Sequence, residues 1–218
     1  MALVAGCEAE ESTSLDTGSA YFPFKKGVYQ VYSVNEIRYS AIAEPETLAY
    51  ELMTEVVDSF PSPQGQYTYV IHRSRRSTET DPWEALDTWS ARKDNSEAIV
   101  SEGNTAFVKV IFPIRSGTRW NGNAFNTLEN DEYELKDIDQ PFEVNGMTFE
   151  KTLTVEQERN EDFIVFRDER QEVYALDVGL VYKVITQLNY CTDDNCRGQQ
   201  KIDSGIEMKL VIKQYGKH

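Results

Sequence analysis

Residues 174–190, YALDVGLVYKVITQLNY, constrain the fold more than any other part of this sequence. A turn at Asp177-Val178-Gly179 opens onto a long run of period two. Leu180, Tyr182, Val184, Thr186, Leu188 and Tyr190 fall on one side, and Val181, Lys183, Ile185, Gln187 and Asn189 on the other. Side chains along a strand alternate between its faces, so a nearly apolar side opposite a mixed one predicts a strand with one face buried. A second alternating run, 206–215, follows a short polar loop.

The same period recurs along the chain. Tyr50, Leu52, Thr54 and Val56 alternate within 49–58, and the turn sequence FPSPQGQ (60–66) leads to a partner run, 67–73. Residues 28–37 read as a strand with a bulge, and 73–82 as a polar loop. Further strands are expected at 86–92, 98–100, 106–112, 149–155, 163–166 and 173–175, with polar turns at 156–161 and around Asn145-Gly146. No segment holds a 3.6-residue period over ten residues. The expectation is an all-β or mainly β fold, an antiparallel meander of about ten strands forming a curved sheet, a sandwich or an open barrel. At 218 residues the chain fits one such domain without needing a metal to fold.

The formal net charge is −15, which repels phosphate backbones and argues against nucleic acid as a partner. No stretch of about 18 apolar residues is present, so no helix is expected to span a membrane. The amino terminus carries other information. Val4-Ala5-Gly6-Cys7 resembles the bacterial lipobox, in which the cysteine is lipidated. A diacylated Cys7 would hold the protein at a membrane, since each buried methylene contributes about 0.8 kcal/mol. Residues 1–7 are therefore read as a truncated signal ending in a lipobox, 8–20 as a polar, acidic tether, and 21–218 as one β domain. The acidic run after Cys7 also resembles the surface-export signal of Bacteroidetes lipoproteins. The implied location is the bacterial outer membrane, facing the periplasm or the cell surface.

Cys191 and Cys196 enclose Thr-Asp-Asp-Asn on an expected hairpin tip, and in an exported protein they are read as a disulfide. A zinc site is not expected: no second cysteine pair exists, and the histidines are His72 and His218 alone. No catalytic set is assigned. A Ser-His-Asp or Cys-His arrangement would rest on His72, which reads as a sheet-face residue. Glu129, Asp131, Glu132, Glu134, Asp137 and Asp139 lack the order of a calcium loop and read as a solvated acidic loop. No phosphate-cradling glycine loop is present, and no cofactor is expected. Trp120, Asn121, Asn123, Phe125 and Asn126 form the best candidate binding group, since aromatics interleaved with amides suit sugar or peptide contact. They equally suit a packed corner whose amides satisfy turn backbone.

FPFKKG (22–27) and FPIRSG (112–117) share the pattern Phe-Pro-apolar-basic-x-Gly and read as two equivalent strand-entry corners. Together with RWNGNAFN (119–126) and the late strand from 171 to 196, these corners resemble a family of Bacteroidetes lipoproteins of unknown function. Similar signatures occur in envelope proteins whose fold is similar to periplasmic lipoprotein carriers. That resemblance implies a curved antiparallel sheet around an apolar groove, and it brings no catalytic residues. Gln30 stands where the pattern places Trp, and no long helix is evident to plug such a groove. The expected function is a non-enzymatic, lipid-anchored envelope protein that binds or supports an unknown protein, glycan or apolar ligand. The alternatives are a carrier of lipid in the groove and a glycan hydrolase using carboxylates.

Overall fold

Alternation of the kind seen in 174–190 builds almost all of the molecule. In the computed structural model, which describes residues 17–62 and 65–218, twelve strands form one antiparallel sheet. They are β1 (Val28–Ser40), β2 (Ala43–Pro61), β3 (Tyr67–Arg76), β4 (Glu84–Lys93), β5 (Glu97–Glu102), β6 (Thr105–Ile111), β7 (Arg119–Asn121), β8 (Glu132–Val144), β9 (Met147–Asp162), β10 (Phe166–Ala175), β11 (Gly179–Tyr190) and β12 (Ile202–Lys217). The order across the sheet is β6-β5-β4-β3-β2-β1-β12-β11-β10-β9-β8-β7. The first and last strands pair at its centre, and β6 and β7 are its two edges. The sheet curls until those edges meet: the Val108 amide donates to the Gly122 carbonyl at 2.9 Å. The result is a nearly closed barrel, one of the forms expected.

Several boundaries differ from expectation, for one physical reason. Residues 73–76 belong to β3, 156–161 to β9, and 166–175 form a single strand, although each region is too charged to read as strand. Ladder partners satisfy their backbones, while the charges find opposite charges nearby: Arg170 pairs with Asp168 on its own strand (2.7 Å) and with Asp131 ahead of β8 (2.7 Å), and Arg73 pairs with Asp87 of β4 (2.9 Å). The acidic stretch 129–139 is likewise not a loop for most of its length. From Glu132 it is β8, and Arg119 holds Glu132 (3.0 Å) and Glu134 (3.2 Å).

In β11 the expected single buried face is also revised. Thr186, Leu188 and Tyr190 are buried as expected, but Val181 is buried on the opposite register, and Lys183 and Ile185 of that register line the interior. A bulge between the pairs Val173↔Tyr182 and Tyr174↔Leu180 interrupts the alternation there. The expected bulge in β1 falls at Val31/Tyr32.

In an antiparallel meander, alternate connections share an end. The β1–β2, β3–β4 and β11–β12 connections lie at one end of the barrel. The β4–β5, β8–β9 and β10–β11 connections lie at the other, where the chain enters β1. That entry end is plugged by residues 17–24. Of the stretch read as tether, the described part is therefore packed rather than loose. Ser19–Tyr21 form a single 3-10 turn. The Ala20 carbonyl accepts from Asp177 N (3.0 Å), and Lys93 Nζ donates to the carbonyls of Ser19 (2.8 Å) and Phe22 (2.7 Å). Phe22 then packs on Tyr174 (4.4 Å between rings) and edge-on to Phe112 (6.4 Å). The two FPxxxG corners thus meet in one aromatic cluster, and their glycines, Gly27 (φ 84°) and Gly117 (φ 75°), are both left-handed. Cys7 and residues 1–16, with the lipobox and the rest of the tether, lie outside the described residues.

Candidate functional site

A barrel of twelve strands has more interior than its own side chains fill. Near the plug, Leu135, Leu153, Val155, Val108, Val110 and Ile99 close the space with the aromatics of residues 21–24. On the β1–β3 and β11–β12 side they do not. There the sheet encloses a cavity of about 310 Å³, walled by Val34, Leu52, Val56, Ile71, Ile185 and Leu210 with Phe24 and Trp89. That is the lower range of sites that take a small organic ligand, and the wall is chiefly apolar, as such sites are. Gln30 lies in this wall; it donates to the Val178 carbonyl (2.9 Å) and accepts from Thr54 Oγ1 (2.9 Å).

Charge is embedded in the same wall. Lys109 of β6 reaches across the interior to Glu102 (2.6 Å) and to Glu172 of β10 (3.0 Å). Lys183 of β11 also meets Glu172 (2.8 Å), whose other oxygen accepts from the Tyr174 hydroxyl at 2.5 Å. Burial alone would push the Glu172 carboxyl up, but the ammonium groups of Lys109 and Lys183 outweigh it and hold the carboxyl far below the usual range. Glu102 is lowered for the same balance of reasons. Lys109 is raised: burial opposes its charge, and the two carboxylates more than compensate. Burial, then the Glu172 charge, keeps Tyr174 protonated well above its ordinary value. The cluster pairs two carboxylates with two lysines, so its formal charges cancel.

Arg73 of β3 completes the polar lining. Its Nη1 donates to Asp87 (2.9 Å) and its guanidinium lies 3.8 Å over the Trp89 ring. Its Nε–H is buried and has no hydrogen-bond partner among the described residues.

None of these residues was singled out from the sequence. Lys109 had a visible signal, a lone cation at the centre of the apolar run AFVKVIF. Glu172 and Arg73 sit in segments rich in charge and had none, and Glu102 stands beside the turn at Gly103-Asn104, where a carboxylate reads as solvated.

The group Trp120, Asn121, Asn123, Phe125 and Asn126 is placed as a packed corner. Trp120 is buried and its Nε1 donates to the Val108 carbonyl (2.8 Å). Asn126 Nδ2 donates to the Ala106 carbonyl (2.9 Å) and to Asn123 Oδ1 (2.9 Å). Asn121 Oδ1 accepts from the amides of Asn123 (2.9 Å) and Asp131 (3.0 Å). These amides serve β6 and the loop, so the corner seals the seam between the sheet edges. Only Phe125 is exposed, beside Arg92. Between them Gly122 lies so close under Tyr133 that a Cβ there would come within 2.3 Å of the ring.

Cys191 and Cys196 are joined as a disulfide in the β11–β12 connection. His72 is an exposed residue of β3, and His218 stacks on Tyr29 (4.6 Å). Among the described residues no helix is long and apolar enough to cross a membrane.

No protein-family model matches the chain, and no curated protein matches it. Solved structures do. A protein from Bacteroides fragilis, described as exported and as having a YmcC-like fold, is 13% identical over 90% of this chain and 98% of its own, with a TM-score of 0.45. A protein from Parabacteroides distasonis, described as a lipoprotein, is 11% identical over 90% of this chain and 98% of its own, with a TM-score of 0.41. LprF from Mycobacterium bovis is 13% identical over 92% of this chain and 90% of its own, with a TM-score of 0.26. Identities of this order assign the chain to no family.

Proposed function

We propose that this chain is a lipid-anchored cell-envelope protein that carries an apolar molecule inside its barrel and catalyses no reaction of its own. The observation that carries this reading is the cavity of about 310 Å³ walled by Val34, Leu52, Val56, Ile71, Ile185 and Leu210. An apolar space of that size left beside a densely packed half-core forfeits contact energy unless something occupies it. The lipobox-like Val4-Ala5-Gly6-Cys7 supports anchoring. Thr17 lies at the plugged end, so an anchor upstream of it leaves the opposite end free for exchange. A hydrolase has weaker support, because the buried carboxylates Glu102 and Glu172 are both kept ionised by lysines and neither is available as an acid.

The test is the fluorescence of N-phenyl-1-naphthylamine, an uncharged apolar probe, with purified, delipidated protein. Wild type should enhance the probe's emission saturably. Leu52→Trp, which places an indole in the cavity, should abolish the enhancement while keeping a cooperative thermal transition. Val34→Trp serves as a second filling variant. A wild type that leaves the probe dark, or filled variants that still light it, would defeat the reading.

A further inference from the structure

The cavity does not stop at its apolar wall. Along β2, alternate residues Val56, Thr54, Leu52 and Tyr50 line it, and Tyr50 and Leu48 then line a second space, a groove of about 620 Å³. The neighbouring strands repeat the pattern. On β3, Ile71 and Arg73 face the cavity and Arg75 the groove; on β1, Tyr32 and Val34 face the cavity and Arg38 the groove. Among the described residues, Tyr50 alone lines both spaces, and it is half-buried. The groove opens at the end of the barrel opposite the plug, beside the β3–β4 connection, where Ser77, Asp81 and Pro82 line it.

The two spaces differ in chemistry. The groove is lined by Arg38, Arg75 and Arg76 together with Asp81 and Glu84, a charged wall beside a chiefly apolar one. Arg76 is committed to Glu51 (2.6 Å), Arg38 to Glu36, and Asp81 accepts from the amide (2.8 Å) and hydroxyl (2.8 Å) of Thr78. Arg75 has no ion pair among the described residues. Arg73 stands on the inner side of Tyr50 with its buried Nε–H unbonded among the described residues, and an unpaired buried donor is costly until an acceptor reaches it. The positive charges of Arg73, Arg38 and Arg75 all act on the Tyr50 hydroxyl, although burial and Glu36 keep that group raised.

Resting on the carrier reading above, we propose that cavity and groove are one channel for a single-chain amphiphile with an anionic head. Its chain occupies the interior, its head lies among Arg73, Arg75 and Arg38, and Tyr50 is the gate between. A carboxylate and a phosphate monoester share the required chemistry, two or more acceptor oxygens that match the guanidinium fork.

Calorimetric titration of the delipidated full chain, below micelle concentrations, separates the possibilities. The probes are dodecanoate, dodecyl phosphate, dodecanol, dodecyltrimethylammonium and inorganic phosphate. Both anionic amphiphiles should bind roughly tenfold or more tighter than dodecanol, the cation should bind weakest, and inorganic phosphate should show no saturable binding. In Arg73→Gln with Arg75→Gln, the ratio of anion to alcohol affinity should fall to about one. Tyr50→Ala should speed association several-fold. Equal affinity for anion and alcohol in wild type overturns the inference and leaves the carrier reading standing. Inorganic phosphate binding as tightly as dodecyl phosphate, or association rates unmoved by Tyr50→Ala, also overturns the channel. Binding of none of the five overturns both.

Discussion

Glu172 is fully buried, and its carboxylate accepts from Lys109, Lys183 and Tyr174 together. Breaking such a cluster leaves uncompensated charge in a poorly solvated interior, at a cost of about 3 kcal/mol or more. Glu172→Gln should lower unfolding free energy by that amount in urea titrations at neutral pH. The pH dependence has a definite sign. The folded carboxyl titrates below its unfolded value of roughly 4.3, so its contribution is complete above that value and is lost as pH falls toward the folded one. Wild-type stability should therefore drop in acid, and Glu172→Gln should shallow that drop without removing it, because Glu102 and Glu51 are depressed too. An unchanged acid limb would show that Glu172 is not held as described. Lys109 works in the opposite direction: its stabilisation is complete below roughly 10.4 and is lost only as pH rises toward its raised folded value. At this scale the sequence was least informative. The partners of Glu172 come from β6, β10 and β11, and spacing along a chain says nothing about which strands face each other across a barrel.

Among the elements, the segment before β1 matters more than its composition suggests. Residues 17–20 look like the end of a tether, yet their carbonyls are held by Lys93 and Asp177, and they deliver Phe22 into the aromatic cluster. Phe22 is 3% exposed, so Phe22→Ala should destabilise by about 3–5 kcal/mol and unseat the plug. Thermal unfolding measures the first, and limited proteolysis before residue 28 the second. A variant with wild-type stability and no new cleavage would mean that the plug contributes little. Local pattern succeeded where alternation ran uninterrupted, as along β2 from Tyr50 to Val56 and at the end of β11. It failed for β9 and β10, whose charged residues are matched by partners such as Lys136 for Glu156 and Asp131 for Arg170 that only the fold brings near. The corner at 119–126 could be read two ways, because amides that satisfy loop backbone and amides that bind a sugar are the same residues.

As a whole the barrel is unevenly closed. β1 and β12 are joined by a ladder from Val28↔Lys217 to Tyr39↔Gly205. The edges β6 and β7 are held by the Val108–Gly122 backbone bond, assisted by Trp120 and Asn126. Backbone groups with few cooperative neighbours open at low free energy. Hydrogen exchange should therefore be faster for the seam-facing amides of β6 than for β1 and β12. Equal protection on both sides would mean that the seam is as cooperative as the ladder. The same unevenness separates what was knowable in advance. The period-two pattern, the turn residues and the two FPxxxG corners determined an antiparallel meander of β-strands, because alternation and turn chemistry are local properties of the chain. Only the tertiary structure decided that the sheet curls into a barrel, that one half of it packs solid while the other encloses a cavity, and that Lys109, Glu172 and Arg73 face inward. Those outcomes depend on curvature, bulges and register summed over twelve strands, and no short window of sequence contains that sum.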